Sequence, residues 1–236
     1  MSSAAGVHAL LDAAVPLLPD DAAHSYDLAL AAMARFYAAV VGGDADLAVR
    51  ALDEGRDRFR AGRIDLGLAF MEMHSGDFDL AMGRHESADR HYAASVELAV
   101  RMGDDALAGQ VLCLRGLALL TRGDPAGARR ALVDGAAATR RGGQPTGMAH
   151  ALEGLAAVAL AEGRPDEAAA ALAAAAAARE HTAVPTSPVL ARVVAALEAQ
   201  ARAAVGDDAW EAHRAEARGR TVQEALDRAL ARLPDT

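Results

Sequence analysis

The residues able to do chemistry are few and scattered. His85, Glu86, Asp89 and His91 form the densest group of metal-ligating types. His85 and Asp89 share a helical face, but His91 lies six residues beyond His85, roughly 240° around a helix, so the two imidazoles cannot close on one ion. An exposed helical face is expected there, with Glu86 and Arg90 as an ion pair and no metal or other cofactor. Cys113 would need a base such as His150 to become a nucleophile. Its neighbours Val111, Leu112 and Leu114 instead suggest a small, buried, inert thiol. His74 and Glu72 read as solvated surface groups, and no carboxylate pair has diagnostic spacing, so no catalytic residue is assigned. Trp210, the only tryptophan, follows Gly206-Asp207-Asp208-Ala209 and could anchor a partner.

Composition narrows the chemistry further. All 24 basic residues are arginine, so Schiff-base catalysis, a pyridoxal phosphate anchor and a Walker-type phosphate loop are excluded. A net charge of −9 and an isoelectric point near 5.3 argue against direct contact with nucleic acid. One cysteine permits neither an intramolecular disulfide nor a cysteine-rich zinc site, and fits a reducing cytoplasm. Residues 1–18 lack a basic leader and carry Asp12, unlike a signal peptide. Charged residues and glycine interrupt every apolar stretch, so no membrane span is expected. The 53% apolar content with only 3% aromatics, dominated by alanine and leucine, points to an all-α fold.

The elements that would position any site repeat along the chain. A Gly-Asp/Arg step followed by alanine five residues after the glycine reads at Gly43-Asp44 to Ala48, Gly76-Asp77 to Ala81, Gly123-Asp124 to Ala128 and Gly163-Arg164 to Ala168. The glycines are 33, 47 and 40 residues apart (76−43, 123−76, 163−123), the size of a two-helix hairpin. Twelve residues before each alanine, where the partner helix should cross, stand Phe36, Ala69, Gly116 and Ala156; Phe36 suggests an atypical capping hairpin or a shifted helix register. This predicts a tetratricopeptide-like α-solenoid of about four hairpins, with atypical helices over 1–42, a repeat core over 43–184 and a capping tail over 185–236. The alanine-rich run 168–178 is expected to be a thinly packed helix, and His181 to Pro188 an irregular segment. The tail should hold helices over 188–204 and 207–218, then one opened by the capping box Thr221-Val222-Gln223-Glu224 and running to Leu233.

The first helices of such hairpins face inward. Helical spacing then lines a groove with Met33, Tyr37, Leu66, Phe70, Met73, His74, Gln110, Cys113, Leu117, His150 and Glu153. An apolar groove with a few polar groups suits a protein helix, an apolar peptide or an apolar small-molecule effector. Each apolar member could equally pack between helices.

The stretch from Ala151 to Ala169, including Gly163-Arg164-Pro165-Asp166-Glu167-Ala168, resembles a late repeat of large actinobacterial signal-transduction ATPase regulators. These are the LuxR-type large regulators and relatives of the Streptomyces antibiotic regulatory proteins. The tail from Val205 through Trp210 to Leu226 is similar to the same family's closing motif, which implies that Trp210 docks the last short helix onto the stack. The resemblance runs from about Gly43 to the end and implies a sensory or interaction array. The family's ATPase and DNA-binding domains have no counterpart in this sequence, which fits either an excised sensor region or a freestanding product. Three roles stay open: a non-enzymatic binding or sensor module, an enzyme or accessory protein of specialised metabolism using His74, His150, Glu153 or Tyr37, and a homodimer joined through the solenoid's ends.

Overall fold

The computed structural model describes residues 4–19, 21, 24–183 and 186–233, and among these it contains helices and no strand. After α1 (Ala4–Ala14) come α2 (Ser25–Gly42), α3 (Ala45–Ala61), α4 (Asp65–Ala81), α5 (His85–Met102), α6 (Asp105–Thr121), α7 (Pro125–Gly142), α8 (Pro145–Ala161) and α9 (Pro165–Thr182). The tail consists of α10 (Ala191–Val205), α11 (Asp207–Arg218) and α12 (Val222–Leu230). The protein is an all-α helical-repeat solenoid. Its hairpins are α2/α3, α4/α5, α6/α7 and α8/α9, so the array begins at Ser25.

Turn chemistry sets the repeat. Left-handed backbone recurs at residues 43, 63, 83, 103, 123, 143, 163 and 183, a constant step of 20 (63−43). Six of these positions are glycine, which enters that region without a Cβ clash, whereas Arg63 and Ala183 do so at a cost. The next amide donates back five residues, as from Asp44 to the Ala39 carbonyl at 2.9 Å, closing the helix end. Asp44, Asp104 and Asp124 then cap the following helix by accepting from the amides of Leu47, Leu107 and Gly127.

The second copy of the repeat is therefore not Gly76-Asp77. Gly76 lies inside α4, and the turn is Gly83-Arg84, with Ala88 five residues on. Arginine replaces the capping aspartate there, while Gly76-Asp77 imitates the turn signal from within a helix. The hairpin turns are thus spaced by 40 throughout (83−43, 123−83, 163−123). In this register the crossing row reads Phe36, Gly76, Gly116 and Ala156, and the row facing it Leu52, Tyr92, Leu132 and Leu172. Size is exchanged across the hairpin: a Cβ on Gly76 would stand 2.6 Å from the Tyr92 ring, and one on Gly116 2.6 Å from Leu132. Phe36 sits in its proper row and shares a core cluster with Leu52.

The alanine-rich α9 is densely packed, contrary to the sequence expectation. Its small side chains let it contact α8, α10, α11 and α12, and most are buried. Trp210 is buried against this cluster, docking α11, and Leu226 does the same for α12. The capping box at Thr221 is formed, but its helix ends at Leu230. Of the expected irregular segment, 184 and 185 lie outside the described residues, and α9 continues through Thr182.

Candidate functional site

Helical spacing and the 40-residue register place four rows on the inner face of α2, α4, α6 and α8. They are residues 26, 66, 106 and 146, then 30, 70, 110 and 150, then 33, 73, 113 and 153, and 37, 77, 117 and 157. Met33, Tyr37, Leu66, Phe70, Met73, Gln110, Cys113, Leu117, His150 and Glu153 all fall in these rows. His74 is turned towards the preceding hairpin, where its ring stacks on Phe36 at 5.9 Å. Met73, His74, Cys113, Leu117, His150 and Glu153 are buried. Leu66 and Phe70 remain 46% and 36% exposed, and with Tyr26 and Leu30 they form an open apolar strip at one end of the face.

The rest of the face has an occupant. Leu190 is buried in the cluster holding Met73, Leu114, Leu117 and Ala157, and Val193 and Leu197 of α10 pack against the same cluster. Val189 joins the first-hairpin cluster with Phe36 and Phe78. The chain thus returns after α9: Val189 and Leu190 reach the clusters of the earlier hairpins, and α10 packs mainly on α9 and α8, with Val193 and Leu197 turned to the cluster of Leu117 and Ala157. A cavity of ≈ 540 Å³ flanks α10 beside Glu153 and Val194, and another of ≈ 480 Å³ lies beside Leu117 and Val193.

Two buried polar clusters underlie this surface. In the first, the Tyr92 hydroxyl donates to Asp77 Oδ1 at 2.8 Å, and His74 Nδ1 faces Asp77 Oδ2 at 3.5 Å. Tyr37 Oη stands 3.1 Å from His74 Nε2. Burial and the neighbouring Asp77 charge push the Tyr37 phenol up to about 12 and raise Tyr92 as well, so both are donors rather than bases near neutrality. Beside it, His91 Nδ1 lies 2.7 Å from Glu72 Oε2. His74 and Glu72 are therefore built into the packing and are not solvated surface groups.

In the second cluster, Arg179 of α9 holds Glu153 of α8 through a buried fork: Nη2 donates to Oε1 at 2.7 Å and to Oε2 at 2.9 Å, and Nε donates to Oε1 at 2.9 Å. Burial still raises the Glu153 carboxyl, because desolvation outweighs the arginine's attraction. His150, one turn earlier, has an unpartnered buried Nδ1 and is held neutral, its pKa pushed down to about 3 by burial and by Arg179. Burial raises the Cys113 thiol above its ordinary range, and its sulfur lies 2.7 Å from where a Gly135 Cβ would stand. It is a packed, protonated thiol.

The His85–His91 group is also not an exposed face. Asp89 is buried, accepting from Arg115 at 2.6 Å and Arg122 at 2.8 Å. Among the described residues no three His, Cys, Asp or Glu side chains are placed to hold a metal ion, and no helix is long and apolar enough to cross a membrane.

Sequence reasoning missed Asp77, Tyr92, Arg179 and the seat of α10. The 40-residue register carries a signal for two of them. Asp77 interrupts a row of Tyr37, Leu117 and Ala157, and Arg179 one of Phe59, Ala99 and Thr139. Glu153 likewise departs from Met33, Met73 and Cys113, so the two members of the ion pair break their rows together. No family model matches the chain, and no curated protein does.

Proposed function

We propose that this protein is a non-enzymatic binding module whose inner face takes an amphipathic helix of a protein partner. The observation behind this reading is α10, a helix of the chain itself packed on α8 and α9, whose Val193 and Leu197 turn onto the cluster holding Leu117 of α6 and Ala157 of α8. The open strip of Tyr26, Leu30, Leu66 and Phe70 continues that bed and offers apolar contact to a further helix. Acid-base chemistry finds less support: Tyr37 and His74 belong to hairpins distant from His150 and Glu153, and the cavities flanking α10 include only Glu153 of these. The likeness to actinobacterial signal-transduction regulators favours the role of a sensor or interaction arm in the cytoplasm. A display library of amphipathic helical peptides, screened against the chain, tests the reading. Retained peptides should carry apolar residues at three- and four-residue steps, and should lose at least about tenfold in affinity for Leu66→Asp/Phe70→Asp, a loss of roughly 1.4 kcal/mol. A screen that retains no such peptide overturns it.

A further inference from the structure

We infer that α10 is a replaceable occupant of the inner face: a strap that competes in cis with a partner helix bearing the same stripe. The inference rests on the reading of the inner face as a helix-binding surface, and adds the partner's chemistry and its control. The stripe runs Leu190, Val193 and Val194, Leu197, Ala201, so the partner is a helix of about four turns with aliphatic residues at those steps and a small one at the last.

Three features mark α10 as detachable. Within α10 itself only Ala201 is buried, whereas α8 is buried without a break from Gly147 to Ala159. Open grooves of ≈ 540 and ≈ 480 Å³ run beside it, so α10 stands on its bed with solvent along its flanks. Both ends carry hinges with independent anchors beyond them. On one side Ala183 is left-handed at φ 54° and Pro188 sits in a turn, with α9 packed before them. On the other Gly206 takes φ 84° and ψ 162°, followed by α11, which Trp210 and Ala217 hold against α9. Arg202 pairs with Asp207, at the start of α11 and across the Gly206 hinge, so this bond does not tie α10 to the bed. Release of α10 exposes the Leu117 and Ala157 rows and leaves the hairpins standing.

The test uses a fluorescein-labelled peptide of residues 186–205 and the full chain, read by anisotropy. Leu190→Asp/Leu197→Asp spoils the strap and leaves the bed intact. If α10 is docked about nine-tenths of the time, the peptide should bind this variant about tenfold more tightly than the unaltered chain. Equal affinity for both would overturn the strap while leaving the helix-binding reading in place; binding to neither would overturn both. Hydrogen exchange on the unaltered chain decides the matter should the variant fail to fold. Amides of α10 should exchange well before those of α8, α9 and α11, and exchange of all four together would overturn the inference.

Discussion

The first two hairpins hold seven of the eight aromatic residues, whereas the last two hold none; the eighth is Trp210 in the tail. Phe36, Tyr37, Phe59, Phe78 and Tyr92 fill the space between α2 and α5 with rings, and their polar edges are satisfied by His74 and Asp77. The later hairpins bring backbones together instead. A Cβ on Gly109 would stand 2.6 Å from the Thr139 nitrogen, and one on Gly135 2.9 Å from the Gly109 carbonyl oxygen. The same 40-residue register thus supports a ring-filled and a backbone-close packing. Their surfaces differ accordingly. The aromatic half leaves Leu66 and Phe70 uncovered, while the alanine half is flat enough to accept α10, α11 and α12 and needs one ionic fork, Glu153 with Arg179, at its centre.

Acid should separate the halves most strongly. His150 titrates normally near 6.5 when unfolded but only at about 3 when folded. Its depressed pKa means that the unfolded chain binds the extra proton, so stability is present above pH 6.5 and drains as pH falls towards 3, by on the order of 4 kcal/mol. His150→Leu should remove that slope, and chemical denaturation across pH 3–7 should show the two curves diverging with acidity. Parallel curves would mean that His150 reaches water in the native state. Glu153 opposes this trend: its raised pKa favours folding at low pH and withdraws that support as pH rises through the folded value.

Arg179→Ala follows closely. It strands the Glu153 carboxylate among apolar groups and should cost about 3–5 kcal/mol, whereas Glu153→Met/Arg179→Met should recover most of the loss. Urea melts of the three variants give the comparison, and a small effect of the single change would show the fork to be solvated.

How much of this was legible follows from the same contrast. The all-α repeat followed from spacing, because alanine, glycine and leucine repeat with the turns, whereas the docking of Trp210 came from the likeness of the tail to the family's closing motif. The register error at Gly76 arose because a crossing glycine and a turn glycine look alike when aspartate happens to follow both. The ionic fork joins residues 153 and 179, on two helices whose facing depends on that register. The seat of α10 was hidden more deeply: its stripe shows that it packs, and nothing local shows against which hairpins.

In the aromatic half the corresponding change is milder. Tyr92→Phe keeps the ring against Gly76 and removes only the hydroxyl that donates to Asp77. The carboxylate keeps His74 nearby, so the loss should be about 2 kcal/mol, the usual worth of a hydrogen bond to a charged group. Tyr92→Phe/Asp77→Asn should cost less than the sum of the separate changes, and strict additivity in thermal melts would argue that the two groups do not support each other.

The smallest effect concerns the turns that both halves share. Arg63 occupies a left-handed position, φ 53°, in a series filled by glycine at 43, 83, 103, 123, 143 and 163. Arg63→Gly relieves the Cβ strain of roughly 1 kcal/mol but gives the unfolded chain more freedom, so the net gain should be a few tenths to 1 kcal/mol. Gly103→Arg makes the reverse change at the equivalent connector one repeat later and should lose about 1 kcal/mol. Opposite signs from the pair would show that the twenty-residue turn series, rather than the side chains around it, sets the backbone at these joints; equal signs would place the control in the neighbouring helices instead.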